Sequence, residues 1–332
     1  MKAMLSKEPG GPETLVLEEM DDPKPGAKQV LIRVHAAGVN FPDTLIIRDL
    51  YQMKPPRPFA PGGEIAGEVV AVGEKVSHLA VGDRVIGMTG FGGFATHVAA
   101  DAAKVIKMPD DMPFEEAACL VLTYGTSHHA LKDRAELKAG ETLLILGAAG
   151  GVGVAAIELA KAAGARVIAA VSSEDKAQFC RDLGADETLI YERDLDRDGQ
   201  KAFSAKIKEL AGGDGVDVVY DAVGGNYAEP AVRALAWKGR FLVVGFPAGI
   251  PKIPLNLTLL KGCQIVGVFW GAHTMQEPDK HAENMGDLFR LYSEGKIKPR
   301  ISATYPLEKA GEALELLQDR KVLGKVVVKV DA

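Results

Sequence analysis

The chain has 332 residues, 47% hydrophobic and 25% charged, with 39 basic against 45 acidic side chains and a net charge of −6. This is ordinary globular composition for about two domains, and it excludes a disordered, collagen-like or low-complexity chain. The acidic balance lacks the basic field that nucleic acid or an anionic membrane requires of a partner.

The first third reads as β structure. Short strand-like runs at Val30–Ala37, Ile65–Val72, Arg84–Met88, Phe94–Ala99 and Lys104–Ile106 are separated by Gly, Pro and Asp, and no helical period is visible among them. Cys119, Cys180 and Cys263 are scattered and odd in number, which is no disulfide framework and fits a reducing compartment. Near Pro113 the pattern changes: Pro113 and the acids Glu115 and Glu116 suit a helix's first turn, and apolar residues recur at helical spacing to about Leu131. From Glu141 onward strands alternate with helices. The predicted strands are Thr142–Leu146, Arg166–Val171, Glu187–Ile190, Val216–Tyr220, Arg240–Val244 and Gln264–Phe269. The predicted helices are about Val152–Ala163, Glu174–Leu183, Lys201–Leu210 and Tyr227–Trp237, with a weaker one at Thr258–Gly262. This alternation predicts an α/β fold, a doubly wound Rossmann sheet of six parallel strands. A loop, helices at His281–Glu294 and Leu307–Gln318 and a last strand at Lys325–Val330 follow. One strand cannot make a sheet alone, so the tail is expected to join the N-terminal β region, giving a Rossmann domain at 126–270 inserted in a domain of 1–125 and about 271–332. The longest uncharged apolar run, Leu143–Ile157, is 15 residues and Gly-rich, too short to span a bilayer. With no signal peptide visible at the start, a soluble cytoplasmic protein is expected.

The strongest chemical signal is Gly147-Ala-Ala-Gly150-Gly151-Val152-Gly153, running from a buried strand into an Ala-rich helix. Glycine permits the tight turn and lets backbone approach a pyrophosphate, whose charge the helix N–H groups then face. The candidate contacts are Ala149, Gly150, Gly151 and Val152. An NAD-type sheet ends its second strand in an acid that binds the ribose 2′-hydroxyl. This strand ends Val171-Ser172-Ser173, with Lys176 in the next helix's first turn. A cation there opposes the helix dipole unless an anion is near. The 2′-phosphate of NADP is such an anion, so NADPH is the expected cofactor, held by Ser172, Ser173 and Lys176. Tyr191 ends the third strand beside the adenosine side, and Ala222 and Val223 follow the fourth on the same edge.

The order of the motifs Ala37–Asp43, Pro61–Gly67, Val81–Val85, Gly147–Gly153, Asp221–Gly225 and Gly324-Lys325-Val-Val-Val resembles, along essentially the whole chain, the zinc-free quinone oxidoreductase (ζ-crystallin-like) branch of the medium-chain dehydrogenases/reductases. The resemblance implies a GroES-like, mainly β catalytic domain beside the Rossmann domain. In the zinc enzymes a Cys stands at the position of Asn40 and a His at that of Gly63. The second catalytic Cys and the four-cysteine cluster are missing too. No metal is therefore expected, the adjacent pair His128-His129 being a poor chelate on a helix.

Without a Lewis acid the expected acceptor is a quinone or another conjugated carbonyl, which delocalises incoming charge. The protein's part is then positioning and oxyanion stabilisation. By resemblance, Asn40 and Tyr51 line the nicotinamide pocket and either could donate a hydrogen bond to a carbonyl. Thr126 and His129 border the cofactor, and Phe246 and Val268-Phe269-Trp270 run past the nicotinamide. An apolar edge strand at Gln264–Phe269 predicts a homodimer joined there, as in the family. Two other readings stand beside this one. Arg48, Lys54 and Arg57 near Tyr51 suit an enoyl- or acryloyl-thioester (acyl-CoA) reductase, and a protein that binds NADPH for a structural or regulatory purpose would oxidise it with no acceptor.

Overall fold

The chain leaves its first unit after Leu122 and re-enters it at Pro299, so that Met1–Leu122 and Pro299–Ala332 form one unit and Thr123–Lys298 the other. This is seen in a computed structural model, which describes residues 1–330. The elements of the first unit are β1 (Lys2–Ser6), β2 (Leu15–Glu19), β3 (Gln29–Val39), the short helix α1 (Phe41–Ile46), β4 (Glu64–Val72), β5 (Arg84–Met88), β6 (His97–Asp101), β7 (Val105–Lys107) and α2 (Phe114–Ala117). Helix α3 (Val121–His128) leads out of it. The second unit runs β8 (Thr142–Leu146), α4 (Gly151–Ala162), β9 (Arg166–Val171), α5 (Glu174–Asp182), β10 (Glu187–Ile190), α6 (Arg197–Leu210), β11 (Val216–Asp221), α7 (Ala228–Arg233), β12 (Leu235–Val243), α8 (Asn256–Lys261), β13 (Gln264–Gly267), α9 (Trp270–Gln276) and α10 (Pro278–Ser293). The returning segment adds β14 (Ile301–Pro306), α11 (Ala310–Gln318) and β15 (Lys325–Lys329).

In the first unit β3 organises the sheet. Along one edge it pairs with β4; along the other its first half pairs with β6 and its second half with β15, all antiparallel. Three partners on one 11-residue strand force the sheet to roll, and the burial of β3 changes accordingly, from alternating to continuous over its last residues. Ile32, Val34, Ile65, Val85 and Phe94 fill the interior, closed by Leu314 and Val328 from the returning segment. The pairing of β15 on β3 and β14 on β15 shows why the tail returns.

In the second unit the strand order is β10-β9-β8-β11-β12-β13, every pairing parallel. This is the 3-2-1-4-5-6 order of a full Rossmann sheet. Leu144, Ile168, Val219 and Phe241 of the strands pack on Ile207, Val232 and Leu257 of the helices. Among the described residues no helix is long and apolar enough to cross a membrane.

Several boundaries differ from the sequence reading. The segment 271–298 belongs to the second unit, not the first: α10 is tied there by Asn284 Nδ2 donating to Asp133 (2.7 Å) and by the Lys132–Asp287 ion pair. Its first part is helical (α9), not a loop. The seventh helix stops at Arg233 because Leu235 already pairs with Val216, and β12 then carries an irregularity around Lys238, whose φ is +62°. Strand β13 ends at Gly267, although the N–H of Val268 still donates to Val243 (3.0 Å). The strands β1, β2 and β14 and helix α1 were not foreseen. A six-residue helix is too short to show a period.

Lys325, at the start of β15, is 4% exposed, and Glu64, at the start of β4, is 0% exposed. Their charges lie 3.4 Å apart. Removing one partner of such a pair leaves a buried uncompensated charge, at a cost of about 3–5 kcal/mol. Lys325→Met is expected to lower unfolding stability by about 3 kcal/mol, with most of it regained in Lys325→Met/Glu64→Gln; urea denaturation of both variants checks this.

Candidate functional site

The second unit brings its site residues to one edge because its strands are parallel, so all six C-terminal tips point the same way. Strand β8 runs into Gly147, whose φ of +73° favours glycine. Gly150 caps α4 in extended conformation, and the helix opens at Gly151 and Val152. A Cβ on Gly153 would stand 2.5 Å from the Gly147 carbonyl oxygen and 2.6 Å from that of Ala148, so only glycine lets this helix seat against its turn. At Gly150 a Cβ would meet nothing nearer than 3.5 Å, which leaves room in front of the helix's first N–H groups. Ala149 lies buried within the turn.

Strand β9 is followed by Ser172 and Ser173, Ser173 being the N-cap of α5. Lys176, in that helix's first turn, reaches back so that its Nζ lies 3.4 Å from Ser172 Oγ. A hydroxyl and an ammonium therefore meet at this tip, with Ser173 next in the chain and no acid at the last residue of the strand. Tyr191 follows β10, its N–H donating to Val171 (2.9 Å) and its ring packed on Phe203 and Tyr227. After β11, Asp221 Oδ1 accepts from the N–H groups of Val223 (2.9 Å) and Gly224 (2.8 Å), which fixes the turn carrying Ala222 and Val223. Phe246 and Phe269 follow β12 and β13 with 44% and 61% of their surface exposed. Trp270 is instead buried, lying against Gly125 of α3 with its ring edge toward His281. Thr126 stands on α3 beside Ser127, whose hydroxyl is taken by the Val152 carbonyl (2.8 Å) and the Tyr220 hydroxyl (2.9 Å).

His129 lies in a buried polar cluster. It opens a π-helical turn, His129–Arg134. Its Nδ1 is bonded to Asp133 Oδ2 (2.8 Å) and its ring is stacked on His273 with centroids 4.0 Å apart. Both ring contacts hold the side chain in place.

The first unit holds Asn40 in a buried polar cluster that bears on its expected role. Asn40 Nδ2 donates to the Gly38 carbonyl (3.1 Å) and to Glu64 Oε2 (3.0 Å), while its Oδ1 accepts from Lys325 Nζ (2.5 Å). Both amide protons are used, so Asn40 has none left for a substrate carbonyl. Glu64 Oε1 accepts from the N–H of Leu122 (2.8 Å). Asp43 accepts from the N–H groups of Asn40 (2.7 Å), Gly62 and Gly63 (both 3.2 Å), clamping the start of α1 to the Pro61-Gly62-Gly63 turn. This donor set does not suit zinc: no thiolate or imidazole is in it, the carboxylates are satisfied, and a buried ammonium already supplies the positive charge. Tyr51, half-buried in the loop after α1, packs on the same unit's core. Its burial, and secondly the charge of Asp43, pushes the phenol pKa up, so the hydroxyl stays a proton donor. Sequence motifs include Asn40, Asp43, Glu64 and Lys325, but their convergence, across as many as 285 residues, is visible only in the fold.

Comparisons with known proteins agree along the chain. Residues 26–110 match the family described as alcohol dehydrogenase GroES-like domain, and residues 151–284 the family described as zinc-binding dehydrogenase. The chain is 39% identical over 331 residues to the quinone oxidoreductase-like protein 2 homolog of Nematostella vectensis, covering 98% of this chain and 88% of that protein. Among solved structures it is similar to mycobacterial Rv1454c complexed with NADPH (TM-score 0.91, 32% identity, 99% and 100% of the two chains). It is also similar to Escherichia coli quinone oxidoreductase complexed with NADPH (TM-score 0.89, 30% identity, 99% and 100%).

Burial, outweighing three backbone hydrogen bonds and the Lys325 charge, raises the Asp43 pKa from 3.8 to about 6. A carboxyl raised in the folded state favours folding most below its unfolded pKa, and that contribution is lost as pH rises through the folded value. The shift corresponds to about 3 kcal/mol. Relative to Asp43→Asn, the wild type is expected to lose about this much stability between roughly pH 4 and 6; urea midpoints of both proteins across that range check it.

Proposed function

Because the chain belongs to the zinc-free medium-chain dehydrogenase/reductase family of quinone oxidoreductases, we propose that it is an NADPH-dependent oxidoreductase whose acceptor is a quinone or another conjugated carbonyl. The observation that carries the acceptor class is the saturated Asn40–Glu64–Lys325 cluster. Where zinc relatives place metal-binding side chains, this chain keeps a buried ammonium whose hydrogen bonds go to its own protein. The donor set of this cluster does not fit a Lewis acid that would polarise an unactivated ketone or alcohol, which favours an acceptor that delocalises charge itself.

The open turn at Gly150 and the hydroxyl-ammonium tip of β9 fit NADPH. When bound, it supplies the hydride. The N–H groups at Gly151 and Val152 would face its pyrophosphate, and Ser172, Ser173 and Lys176 its 2′-phosphate, the pairing of an ammonium with phosphate being charge-assisted. Tyr191, Ala222 and Val223 would border the adenosine side. Thr126, Phe246, Val268, Phe269 and Trp270 would border the nicotinamide side, where the apolar rings exclude water. Tyr51 retains the donor role, since Asn40 has no free amide proton. Its hydroxyl would stabilise the developing oxyanion of the acceptor. The exposed edge of β13, with Ile265 37% exposed, supports a homodimer joined through this strand.

NADPH oxidation over a panel of a benzoquinone, a naphthoquinone, an enone, a 2-alkenal and crotonyl- and acryloyl-CoA tests the acceptor class. Turnover with the quinones and enone is expected, and turnover confined to the CoA thioesters overturns the reading. Lys176→Ala is expected to raise KM for NADPH about tenfold, the loss of about 1.4 kcal/mol of charge-assisted binding, with KM for NADH unchanged. Tyr51→Phe is expected to lower kcat with little effect on KM for NADPH. Light scattering at micromolar concentration checks the dimer, and a monomer there removes the β13 interface.

A further inference from the structure

We infer that His129, Asp133 and His273 form a binding site for a divalent transition-metal ion of the zinc type. The three residues each present a ligand atom, and these atoms lie within 4.8 Å of one another. All belong to the second unit, and none occupies the positions of Asn40 and Gly63 where zinc relatives bind metal.

The hydrogen bonding around the trio points to a cation. His273 Nδ1 is bonded to Glu277 Oε2 (2.7 Å), and with that nitrogen donating, the neutral ring carries its lone pair on Nε2. This Nε2 is buried with no hydrogen-bond partner, in a residue 6% exposed. It stands 4.0 Å from Asp133 Oδ2. In that tautomer a buried lone pair stands 4.0 Å from a carboxylate oxygen with no hydrogen bond between them, an arrangement that a cation held by both relieves. A histidine whose outer nitrogen is held by a carboxylate while the inner one is presented at a site has the orientation that metal centres use. Asp133 Oδ2 is also held from behind by Asn284 Nδ2 (2.7 Å).

His129 completes the set. It lies 2.8 Å from Asp133 through Nδ1, across a wide π-helical turn, a device often found at functional sites. Moving its proton to Nε2 frees Nδ1 as a ligand with no change of net charge. Ligand atoms around tetrahedral zinc stand roughly 3.3 Å apart, given bonds of about 2.0–2.1 Å. The trio reaches that spacing by small ring rotations out of the present stack, in which the two imidazoles are inclined by 16°. Both histidines line an open surface depression of about 220 Å³ together with Arg134, Phe269, Gln276 and Glu277, so the imidazole pair faces solvent on one side. The Arg134 Nε donates to the Gly267 carbonyl (3.0 Å), and the carboxylates of Asp133 and Glu277 each bond one of the two histidines. Two imidazoles and a carboxylate suit zinc, cobalt or nickel in preference to magnesium or calcium.

The test uses the full-length protein, stripped with a chelator and titrated with Co²⁺ and then Zn²⁺. One equivalent of Co²⁺ is expected to bind saturably, with the visible absorption of a low-coordinate imidazole site, and to be displaced by Zn²⁺. His273→Gln and Asp133→Asn are expected to weaken Co²⁺ binding by about tenfold or more, while His97→Gln, in the first unit, changes nothing. To separate loss of metal binding from loss of the helix turn in the Asp133 variant, the ¹⁵N signals of His129 and His273 in wild-type protein supply a second readout, and both are expected to shift on adding Zn²⁺. Absence of saturable binding, binding that survives His273→Gln, or a His273 Nε2 that carries a proton and ignores Zn²⁺ each overturns the proposal. None of these readouts depends on turnover, so the site and the reductase reading fail separately.

Discussion

The parallel hydrogen-bonding of six strands is the constraint on which the cofactor edge depends. Parallel pairing requires each strand to be followed by a crossover, so every tip is released on the same edge and every return is made on a face. Gly147, Ser172, Tyr191, Ala222, Phe246 and Val268 are far apart in the chain, yet each follows a strand of this one sheet. The glycine at position 153 serves the same end, since a single methyl there would push α4 away from the turn that it must close.

The first unit solves a different problem. Its buried polar cluster is built around an ammonium. Lys325 enters on the last strand and meets Asn40, at the end of β3, and Glu64, at the start of β4. The pair is internally neutral, and its hydrogen bonds are satisfied within the unit, which is what makes burial of charge tolerable. The same saturation leaves the Asn40 amide no proton to donate, while burial keeps the Tyr51 phenol protonated.

Much of this was legible in the order of residues. Alternating β-branched runs and helices told the six strands apart, because a parallel strand and its crossover helix each carry a distinct hydrophobic period. The glycine turn and the Ser172-Ser173 tip were likewise local patterns whose chemistry follows from backbone geometry. The misses share a cause. Helix α1 is too short for a period, β14 pairs on one side with a strand that follows it by some twenty residues, and α9 was hidden behind an apolar run read as strand and loop. Asn40 was assigned a donor role because its partners, Glu64 and Lys325, lie in other parts of the chain.

The order of amino acids by itself determined the fold class, the family and the chemistry of the cofactor turns, since these rest on contacts between near neighbours and on repeating periods. Only the tertiary structure decided which polar groups are spent on one another. It consumed the Asn40 amide, raised Asp43 by burying it, and brought His273 to His129 and Asp133 across more than a hundred residues. Burial and long-range pairing set the protonation and hydrogen-bonding state of a side chain, and neither is written in its neighbours along the chain.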